Sequence, residues 1–398
     1  MPTHTCSNYH KSTTTVFQNP WPPVLTLAAS AAALLKLPFE RTKPYTHDLS
    51  HIKTVKTVLA DFATLQKTEK LCAMWLGHAG YLVQLPAEPG HRPIRVVFDS
   101  IFSERAFPST WVGPRRRLEA PCTVDDLPEI DFVAISHNHY DHCDLDALKA
   151  LAEKSPTTTF LVPLGVKANL TSVGIPKTRI YELDWWDTLA FSALDLDGRK
   201  CTYRITCTPA QHNSGRGLLD QNWTLWCGWA LHQIPETDAS PTVSVYFAGD
   251  TGYQTADGPC PAFKEIGDKL GPFDLALVPI WSGASLTFLG KLGYKLSDET
   301  HLATNHATPE DAVQLASDVR ARKALAMHFG TFAGSEDEAL EPAVRLAKAA
   351  LASGGEGEAA ASAAEAVVST RVDVIDVGEC VAFDVAAVRS PTGDERTG

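Results

Sequence analysis

The sequence predicts an α/β sandwich in which two β-sheets pack against each other with helices on the outside. The first observation is a series of short runs rich in β-branched and aromatic residues, which extends from about Leu71 to Phe332. The second is the presence of helical patterns between these runs. The third is that the runs fall into two successive groups. Two β-rich halves with helices outside them are typical of a two-sheet α/β sandwich.

The predicted strands form two sets along the chain. The first set consists of LCAMWLG, YLVQL, IRVVFD, DFVAIS, TFLVP and RIYEL. The second set consists of CTYRITCTPA, WTLWCGWAL, TVSVYFAGD, FDLALVPI and KALAMHFG. We also expect a last strand, RVDVIDVG, to return to the sheet.

Two helices are predicted from their periodicity and from residues that favour helix starts. The first, DLDALKALAEK, follows the fourth predicted strand. The second, TPEDAVQLASDVRAR, begins with Thr308 at the N-cap and Pro309 at the first helical position. Both lie between predicted strands, as an α/β arrangement requires.

The chain divides into an extension, one main domain and a tail. We expect the main domain at residues 51–385, with a low-complexity insert near residues 353–369. Residues 386–398 have the composition of a disordered tail. Residues 1–50 are predicted to be a retained extension that associates with a membrane. Its apolar segment, PPVLTLAASAAALLKLPF, is too short to span a bilayer and is expected to be a packed helix, a surface-lying helix or an anchor.

Composition indicates a soluble globular protein and excludes some partners. Of the 398 residues, 44% are apolar and 21% are charged, and the formal net charge is −12. A chain this acidic is a poor general binder of nucleic acid, because phosphate neutralisation requires clustered Lys and Arg. Nine scattered cysteines indicate free thiols in a reducing compartment. We therefore expect an intracellular protein, cytoplasmic or peripheral to a membrane, with a mitochondrial location as the alternative.

The stretch AISHNHYDHCD, residues 134–144, carries the clearest chemical signal. Alternate residues of an extended segment point the same way, so His137 and His139 can hold one metal ion. Asp141 and His142 follow where the chain turns and can face a second metal ion. Imidazole and carboxylate groups are suitable ligands for zinc and similar divalent metals. The stretch therefore predicts a metal site rather than a polar loop with hydrogen-bonded histidines.

Three later residues are further candidate ligands, because each stands at the end of a predicted strand beside small residues. They are His212 in CTPAQHNSGRG, Asp250 in VYFAGDTGY and His328 in ALAMHFGTF. Together with the four earlier residues they make five histidines and two aspartates. That set suits two metals that share a bridging carboxylate, so the sequence predicts a dinuclear centre.

Eight motifs follow one another along residues 17–335. They are NPWPP, WLGHAGYLVQL, DSIFSERAFP, HNHYDHCD, ELDWWD, TPAQHNSGRG, FAGDTGY and HFGTF. This order resembles the metallo-β-lactamase superfamily and, within it, the N-acylphosphatidylethanolamine-hydrolysing phospholipase D family. HNHYDH is typical of the superfamily, whereas DWWD, PAQH and HFGTF favour the narrower family. The resemblance implies a four-layer αβ/βα sandwich of two mixed sheets. The segment PIWSGASLTFLGKLGYKLSDETHL departs from the family pattern, so the acyl-chain preference is not predicted.

The same resemblance implies two zinc ions per chain, or other divalent metals in their place. The implied ligands are His137, His139 and His212 for the first ion, and Asp141, His142 and His328 for the second. Asp250 would bridge the two ions.

Three residues are expected to be catalytic on the same resemblance: Asp141, Asp250 and His306. His306, in NHATPEDA, resembles a family histidine that lies near the substrate and binds it. Without the family, its place before a helix N-cap would suggest a surface residue. Asp99 follows the strand IRVVFD and is expected to orient His139 or a neighbouring ligand from behind, and the alternative is a strand-end turn residue.

The resemblance implies a zinc-dependent phosphodiesterase of the phospholipase D type. A hydroxide that bridges the metals would attack phosphorus in N-acylphosphatidylethanolamine and yield an N-acylethanolamine and phosphatidic acid. The expected partners are a phospholipid substrate, a membrane surface and a second copy of the chain, and no nucleic acid. One alternative is another hydrolase of the same fold, such as a sugar-phosphate lactonase. The other is a metal-bearing membrane-binding protein without turnover.

Two other features each allow two interpretations, and a third allows one. Trp185 and Trp186 either line a lipid channel or pack in the core. Arg115–Arg117 either meet anionic lipid or form a solvated loop. Cys143 lies inside the histidine motif and is expected to be a small packing residue.

Overall fold

The structure is a computed structural model. It describes residues 16–24, 39–41, 53–68, 70–87, 92–194, 200–235, 242–281, 292–297, 299, 302–354 and 372–385. Most of the apolar segment of the predicted extension, most of the low-complexity insert and the predicted tail lie outside these ranges.

Within the described residues the first large sheet contains seven strands, and strands are numbered in chain order. Its strands are β2 Leu71–Gly77, β3 Gly80–Gln84, β4 Arg95–Phe98, β5 Phe132–Ala134, β6 Thr159–Pro163, β7 Ile180–Leu183 and β18 Cys380–Phe383. Their spatial order is β18-β2-β3-β4-β5-β6-β7. Neighbours from β18 to β4 run antiparallel, and neighbours from β4 to β7 run parallel. The sheet is therefore mixed.

The second large sheet repeats this plan with seven further strands. They are β8 Thr188–Leu194, β9 Lys200–Thr208, β10 Gly228–Pro235, β11 Val243–Phe247, β14 Leu275–Pro279, β16 Ala324–Met327 and β17 Val372–Asp373. Their spatial order is β17-β16-β14-β11-β10-β9-β8. Neighbours from β17 to β11 run parallel, and neighbours from β11 to β8 run antiparallel.

Two short strand pairs and several helices complete the described part of the chain. The pairs are β1 Phe39–Arg41 with β15 Tyr294–Leu296, and β12 Gln254–Thr255 with β13 Gly258–Pro259. The α-helices are Phe62–Lys67, Leu145–Lys154, Lys167–Ser172, Pro261–Leu270, Pro309–Asp318 and Glu336–Gly354, with a 3₁₀ turn at Lys177–Arg179. None of the described helices has the length and apolar character needed to cross a membrane.

Strand periodicity decides which core each side chain enters. On β2, Trp75 packs in the large core that both sheets share, whereas its neighbour Met74 packs in a separate core. That second core also contains Leu148 and Leu151 of the helix Leu145–Lys154. The alternation follows because successive side chains of a strand point to opposite faces. Helices therefore cover sheets that pack together, and the predicted α/β sandwich of two mixed sheets is confirmed.

Most predicted strands and both predicted helices occur where the sequence indicates them. The helix Pro309–Asp318 begins with a complete capping box: the Thr308 side chain accepts from Asp311 N, and the Asp311 side chain accepts from Thr308 N. Asp144 caps the helix Leu145–Lys154 in a similar way, accepting from Ala147 N at 3.3 Å.

Two strand predictions were partly wrong. WTLWCGWAL was predicted as one strand, but β10 begins only at Gly228, because Leu225 and Cys227 bond to loop carbonyls of Leu164 and Ser136. RVDVIDVG contributes only β17 to the second sheet, after which the chain crosses to the first sheet as β18. The sequence reading also missed β8 and the helix Pro261–Leu270. These differences arise because the local sequence pattern does not show which strands pair with each other.

The sandwich brings the candidate residues to one edge. Asp99 follows β4, the histidine motif follows β5, Asp250 follows β11 and His328 follows β16. These four strands lie in the parallel parts of the two sheets, so their carboxyl ends share an edge in each sheet. Side chains from both sheets therefore meet there.

Candidate metal centre

The histidine motif occupies the turn between β5 and the helix Leu145–Lys154. His137 and His142 are buried. The turn is closed by the carbonyl of His139, which accepts from His142 N at 3.2 Å and from Cys143 N at 2.8 Å. The chain thus passes from an extended segment directly into a tight turn, which places the later motif residues on a different side from the earlier ones.

The first ligand group consists of His137, His139 and His212, whose ligand atoms all lie within 4.8 Å of one another. His137 Nε2 is 2.8 Å from His139 Nδ1, and His212 Nε2 is 3.4 Å from the same atom. His212 Nδ1 donates to the carbonyl of Asn305 at 2.8 Å. This hydrogen bond orients Nε2 toward the group, as is usual for histidines that bind metals.

The second ligand group contains Asp141, His142 and His328, and the structure adds His78 to it. His328 Nε2 is 3.0 Å from His142 Nε2. Asp141 Oδ2 is 3.7 Å from His142 Nε2 and 3.8 Å from His328 Nε2. The ligand atoms of this group again lie within 4.8 Å of one another.

Asp250 joins the two groups. Its Oδ2 lies 3.2 Å from His212 Nε2 in the first group and 3.2 Å from His328 Nε2 in the second. The residue before it, Gly249, has φ +68°, and a Cβ there would meet the carbonyl oxygen of Cys227 at 2.6 Å. Only glycine fits this close approach, which brings the carboxylate between the two sheets.

His306 lies beside Asp250 at the edge of the cluster. Its Nδ1 is 3.2 Å from Asp250 Oδ1, and its side chain is 19% exposed. Its ring makes an edge contact with that of His212 and a tilted contact with that of Trp281, and the centroids are 5.5 Å apart in both cases. The side chains of His142, His212 and His328 are at most 2% exposed. His306 can therefore contact both the cluster and solvent.

Asp99 supports the second group from behind. It is fully buried, its Oδ1 accepts from Ser136 N at 2.7 Å, and its Oδ2 lies 2.7 Å from His142 Nδ1. The Ser136 hydroxyl also donates to Oδ2. Of the two partners that the sequence left open, His139 or a neighbouring ligand, the structure brings Asp99 to the neighbour, His142.

Burial keeps most of the cluster's imidazoles neutral. It lowers the pKa of His139 to about 4 and that of His212 to about 3, and it lowers the pKa of His137 well below the ordinary value. His142 differs: burial opposes its charge, but the carboxylates of Asp141, Asp99 and Asp250 outweigh burial and raise its pKa to about 9.

The carboxyl groups of the cluster are ionised. Burial opposes the charged forms of Asp141 and Asp250, but the surrounding imidazoles outweigh it and hold the pKa of both groups well below the usual range. Ionised carboxylates and neutral imidazoles are the ligand forms that divalent metals require. The chemistry of the donor set therefore fits a pair of divalent cations.

Two residues of the site were missed by the sequence reading. His78, in WLGHAGYLVQL, lies 2.9 Å from Asp141, from Nε2 to Oδ2. Asn19, in NPWPP, donates from Nδ2 to the carbonyl of His212 at 2.8 Å, and its Oδ1 accepts from Trp226 Nε1 at 3.1 Å. Both could have been suspected from the sequence, because His78 is a polar residue in an apolar motif and Asn19 is a polar residue in a proline-rich one.

Trp185 and Arg116, which the sequence left with two interpretations, are both packed inside the protein. Trp185 is buried, donates from Nε1 to the carbonyl of Trp226 at 2.7 Å and stacks on Trp21. Arg116 is buried and donates to the carbonyls of Ile101 and Leu118 at 2.9 and 3.0 Å. The three arginines therefore do not form one solvated or lipid-facing cluster.

Comparison with known proteins agrees with this fold. The sequence model described as "Beta-lactamase superfamily domain" matches residues 94–329. The crystal structure of CmlA, a diiron β-hydroxylase from Streptomyces venezuelae, superposes with a TM-score of 0.50 at 16% identity, over 80% of this chain and 55% of that one. The fold and site therefore define a metal-dependent hydrolase of the metallo-β-lactamase class.

Two curated relatives narrow the assignment. A Caenorhabditis elegans protein, N-acyl-phosphatidylethanolamine-hydrolyzing phospholipase D 1, is 36% identical over 280 residues, which cover 69% of this chain and 68% of that protein. The mitochondrial N-acyl-phosphatidylethanolamine-hydrolyzing phospholipase D of Saccharomyces cerevisiae is 32% identical, over 68% of this chain and 50% of that protein. The chain belongs to the N-acylphosphatidylethanolamine-hydrolysing phospholipase D family of the metallo-β-lactamase superfamily.

Proposed function

We propose that this protein is a zinc-dependent phosphodiesterase that hydrolyses N-acylphosphatidylethanolamine to an N-acylethanolamine and phosphatidic acid. The observation that carries the proposal is the position of Asp250 Oδ2, at 3.2 Å from both His212 Nε2 and His328 Nε2. One buried carboxylate oxygen between two ligand groups is the arrangement that a dinuclear centre for phosphodiester hydrolysis requires. The names of the worm and yeast relatives support the choice of lipid.

Two zinc ions are the metals that we propose for this donor set. His137, His139 and His212 would hold the first ion, and Asp141, His142 and His328 would hold the second, with Asp250 shared. Imidazole nitrogen with carboxylate oxygen suits zinc, although manganese and iron accept the same ligands. When bound, two such ions supply a hydroxide nucleophile near neutral pH and stabilise charge on the phosphoryl oxygens.

His306 is the residue that we propose for substrate binding. Asp250 Oδ1 occupies its Nδ1 side at 3.2 Å, which leaves Nε2 as the nitrogen available to a phosphodiester oxygen. Asp250 also raises the pKa of His306 above its ordinary value, despite burial that favours the neutral form. A protonated imidazole at the edge of the cluster would donate a hydrogen bond to the phosphate or a proton to the departing alcohol oxygen.

A membrane surface is the partner that we propose for delivery of the lipid, with the protein peripheral to an intracellular membrane. Two loops approach Tyr140 of the histidine motif. The ring centroid of Phe107 lies 6.0 Å from that of Tyr140, and the Arg216 guanidinium lies 3.8 Å from the Tyr140 ring centroid. These loops carry exposed apolar side chains. They are Trp111, Leu218 and Leu219, which are 86%, 95% and 89% exposed. The mitochondrial yeast relative supports a mitochondrial membrane as one location.

The activity is tested with metal-loaded protein and three substrates: N-acylphosphatidylethanolamine, a short phosphodiester and a sugar-phosphate lactone. We expect equal amounts of N-acylethanolamine and phosphatidic acid from the lipid. In water enriched in ¹⁸O, the label should enter phosphatidic acid, because attack occurs at phosphorus. Absence of phosphatidic acid would overturn the proposal, and hydrolysis of the lactone alone would favour the sugar-phosphate alternative.

Membrane contact is tested by sedimentation with phosphatidylethanolamine vesicles. The double variant Leu218→Ser, Leu219→Ser should bind vesicles less while keeping its metal content. Leu59→Ser is the matched control, since Leu59 is 88% exposed but lies outside the two loops. Equal binding by all three proteins would contradict the proposed surface.

A further inference from the structure

His78 stands in the turn between β2 and β3 with an unusual backbone. Its φ is +52°, a left-handed conformation that is uncommon in residues other than glycine. The residue is buried, so its conformation is set by packing against neighbouring residues. Strained backbone that the surrounding structure maintains is concentrated at functional sites.

Three hydrogen bonds hold this backbone in place. His78 N donates to Thr331 Oγ1 at 2.7 Å. The carbonyl of His78 accepts from His328 N at 2.9 Å and from Trp75 Nε1 at 2.8 Å. One of these partners, His328, is itself a candidate metal ligand, so the turn and the end of β16 form one rigid unit.

The side chain of His78 reaches into the second ligand group. Its Nε2 lies 2.9 Å from Asp141 Oδ2, the same oxygen that faces His142 Nε2 and His328 Nε2. Its ring centroid is 4.2 Å from that of His328. Because a carboxylate accepts and does not donate, His78 contributes the proton of this hydrogen bond through Nε2–H.

Asp141 is the member of the second group that most needs such a contact. Its side chain is 28% exposed, whereas those of His142 and His328 are 0% and 1% exposed. A partly exposed carboxylate can rotate toward water. A side chain that rotates freely must be ordered when a metal binds, and the lost conformational entropy weakens metal binding. Among the contacts described above, His78 supplies the hydrogen bond that opposes this rotation.

We propose that His78 is a positioning residue for the second metal: it donates Nε2–H to Asp141 Oδ2 and keeps this carboxylate directed at His142 and His328. The inference rests on the dinuclear centre of the proposed function. It concerns metal occupancy and does not depend on which lipid or other ester is hydrolysed.

Two substitutions separate the hydrogen bond from the backbone. His78→Asn suits the left-handed backbone, but its amide is too short to reach Asp141. His78→Gln places an amide N–H near the position of Nε2 and can restore the contact. His232→Gln is the matched control, because His232 is a largely buried histidine of β10 that bonds to the carbonyl of Leu270.

The readouts are zinc stoichiometry under chelator competition and the visible absorption of the cobalt-substituted protein. We expect His78→Asn to weaken the second site about 10–100-fold, as loss of a ligand's hydrogen-bond partner usually does, with the first site unchanged. His78→Gln should recover most of the affinity, and His232→Gln should match the wild type. Unfolding midpoints of the metal-free proteins distinguish a local effect from general destabilisation.

Each outcome has one meaning. If His78→Asn binds both metals as tightly as the wild type, the positioning role is overturned. If His78→Gln unfolds at the wild-type midpoint and is still as weak as His78→Asn, the hydrogen bond is not what matters, and the proposal is likewise overturned. If the wild type itself binds no metal pair, the failure belongs to the proposed dinuclear centre and not to His78.

Discussion

Asp99 Oδ2 and His142 Nδ1 lie 2.7 Å apart, and both side chains are fully buried. A carboxylate that accepts from Nδ1 fixes the ring so that Nε2 points toward Asp141 and His328. Asp99 adopts φ +35°, which places its carboxylate beneath the motif in place of continuing β4. The pair thus connects the end of one strand to a candidate ligand on the next.

We expect Asp99→Asn to weaken the second metal site. The amide keeps the size of the side chain but removes the charge that orients His142, and such changes typically cost about 10–100-fold in metal affinity. Zinc titration against a chelator measures the change. Asp274→Asn is the control, because Asp274 is also buried and accepts from Ser244 N, but it lies at β14. Unchanged affinity of the second site in Asp99→Asn would contradict this role.

Asp250→Asn should impair both metal sites and abolish turnover. Its Oδ2 faces both groups, so a neutral amide weakens two sites at once, by on the order of 100-fold or more for a direct ligand. Metal content by mass spectrometry and hydrolysis of a phosphodiester are the measurements. A fully loaded and active variant would refute the bridging role.

The two metal sites should respond differently to pH. At neutral pH His142 is protonated in the metal-free protein because its pKa is about 9, so metal must displace a proton there. Affinity of the second site should therefore rise about tenfold per pH unit up to pH 9 and then level off. The first site should be nearly constant above pH 5, since the pKa values of His139 and His212 are about 4 and about 3. Calorimetry in buffers of different ionisation enthalpy counts the released protons, and equal slopes for both sites would refute the expectation.

His306→Gln should lower turnover without loss of metal. His306 contacts Asp250 Oδ1, whereas Oδ2 is the oxygen that faces the ligand groups. Loss of a proton donor to the substrate typically lowers the rate by about 10²–10⁴-fold. Kinetics on a phosphodiester, with metal analysis of the same sample, test this. His232→Gln is the control, and loss of metal from His306→Gln would assign His306 to the ligands instead.

Asn19→Ala should weaken the first metal site and the fold modestly. Asn19 joins the carbonyl of His212 to Trp226, and each lost hydrogen bond contributes about 1 kcal/mol. Thermal unfolding of the metal-free protein and zinc titration measure the two effects. Asn169→Ala, in the outer helix Lys167–Ser172, serves as the control. If Asn19→Ala lowers the thermal stability but leaves zinc affinity unchanged, Asn19 supports the fold and not the metal site.

Much of the local structure follows from patterns within short stretches of the sequence. The alternation of β2 divides its side chains between two cores, and Thr308 with Asp311 forms the capping box that starts a helix. The spacing of His137 and His139 likewise follows from an extended backbone, since alternate side chains share a face. These features depend on neighbours a few residues apart, and such interactions are encoded in a short stretch of sequence.

How the two halves of the chain share the site follows from the packing of the two sheets. His78 and Asp141 are 63 positions apart, and Asn19 and His212 are 193 apart. Whether Asp99 supports His139 or His142 likewise depends on how β4 and β5 pair. Local periodicity carries no information on such contacts, because strand pairing and sheet packing bring the atoms together. The sequence alone thus indicates which residues can bind metal, and the packing of the two sheets determines which atoms meet and which residues hold them in position.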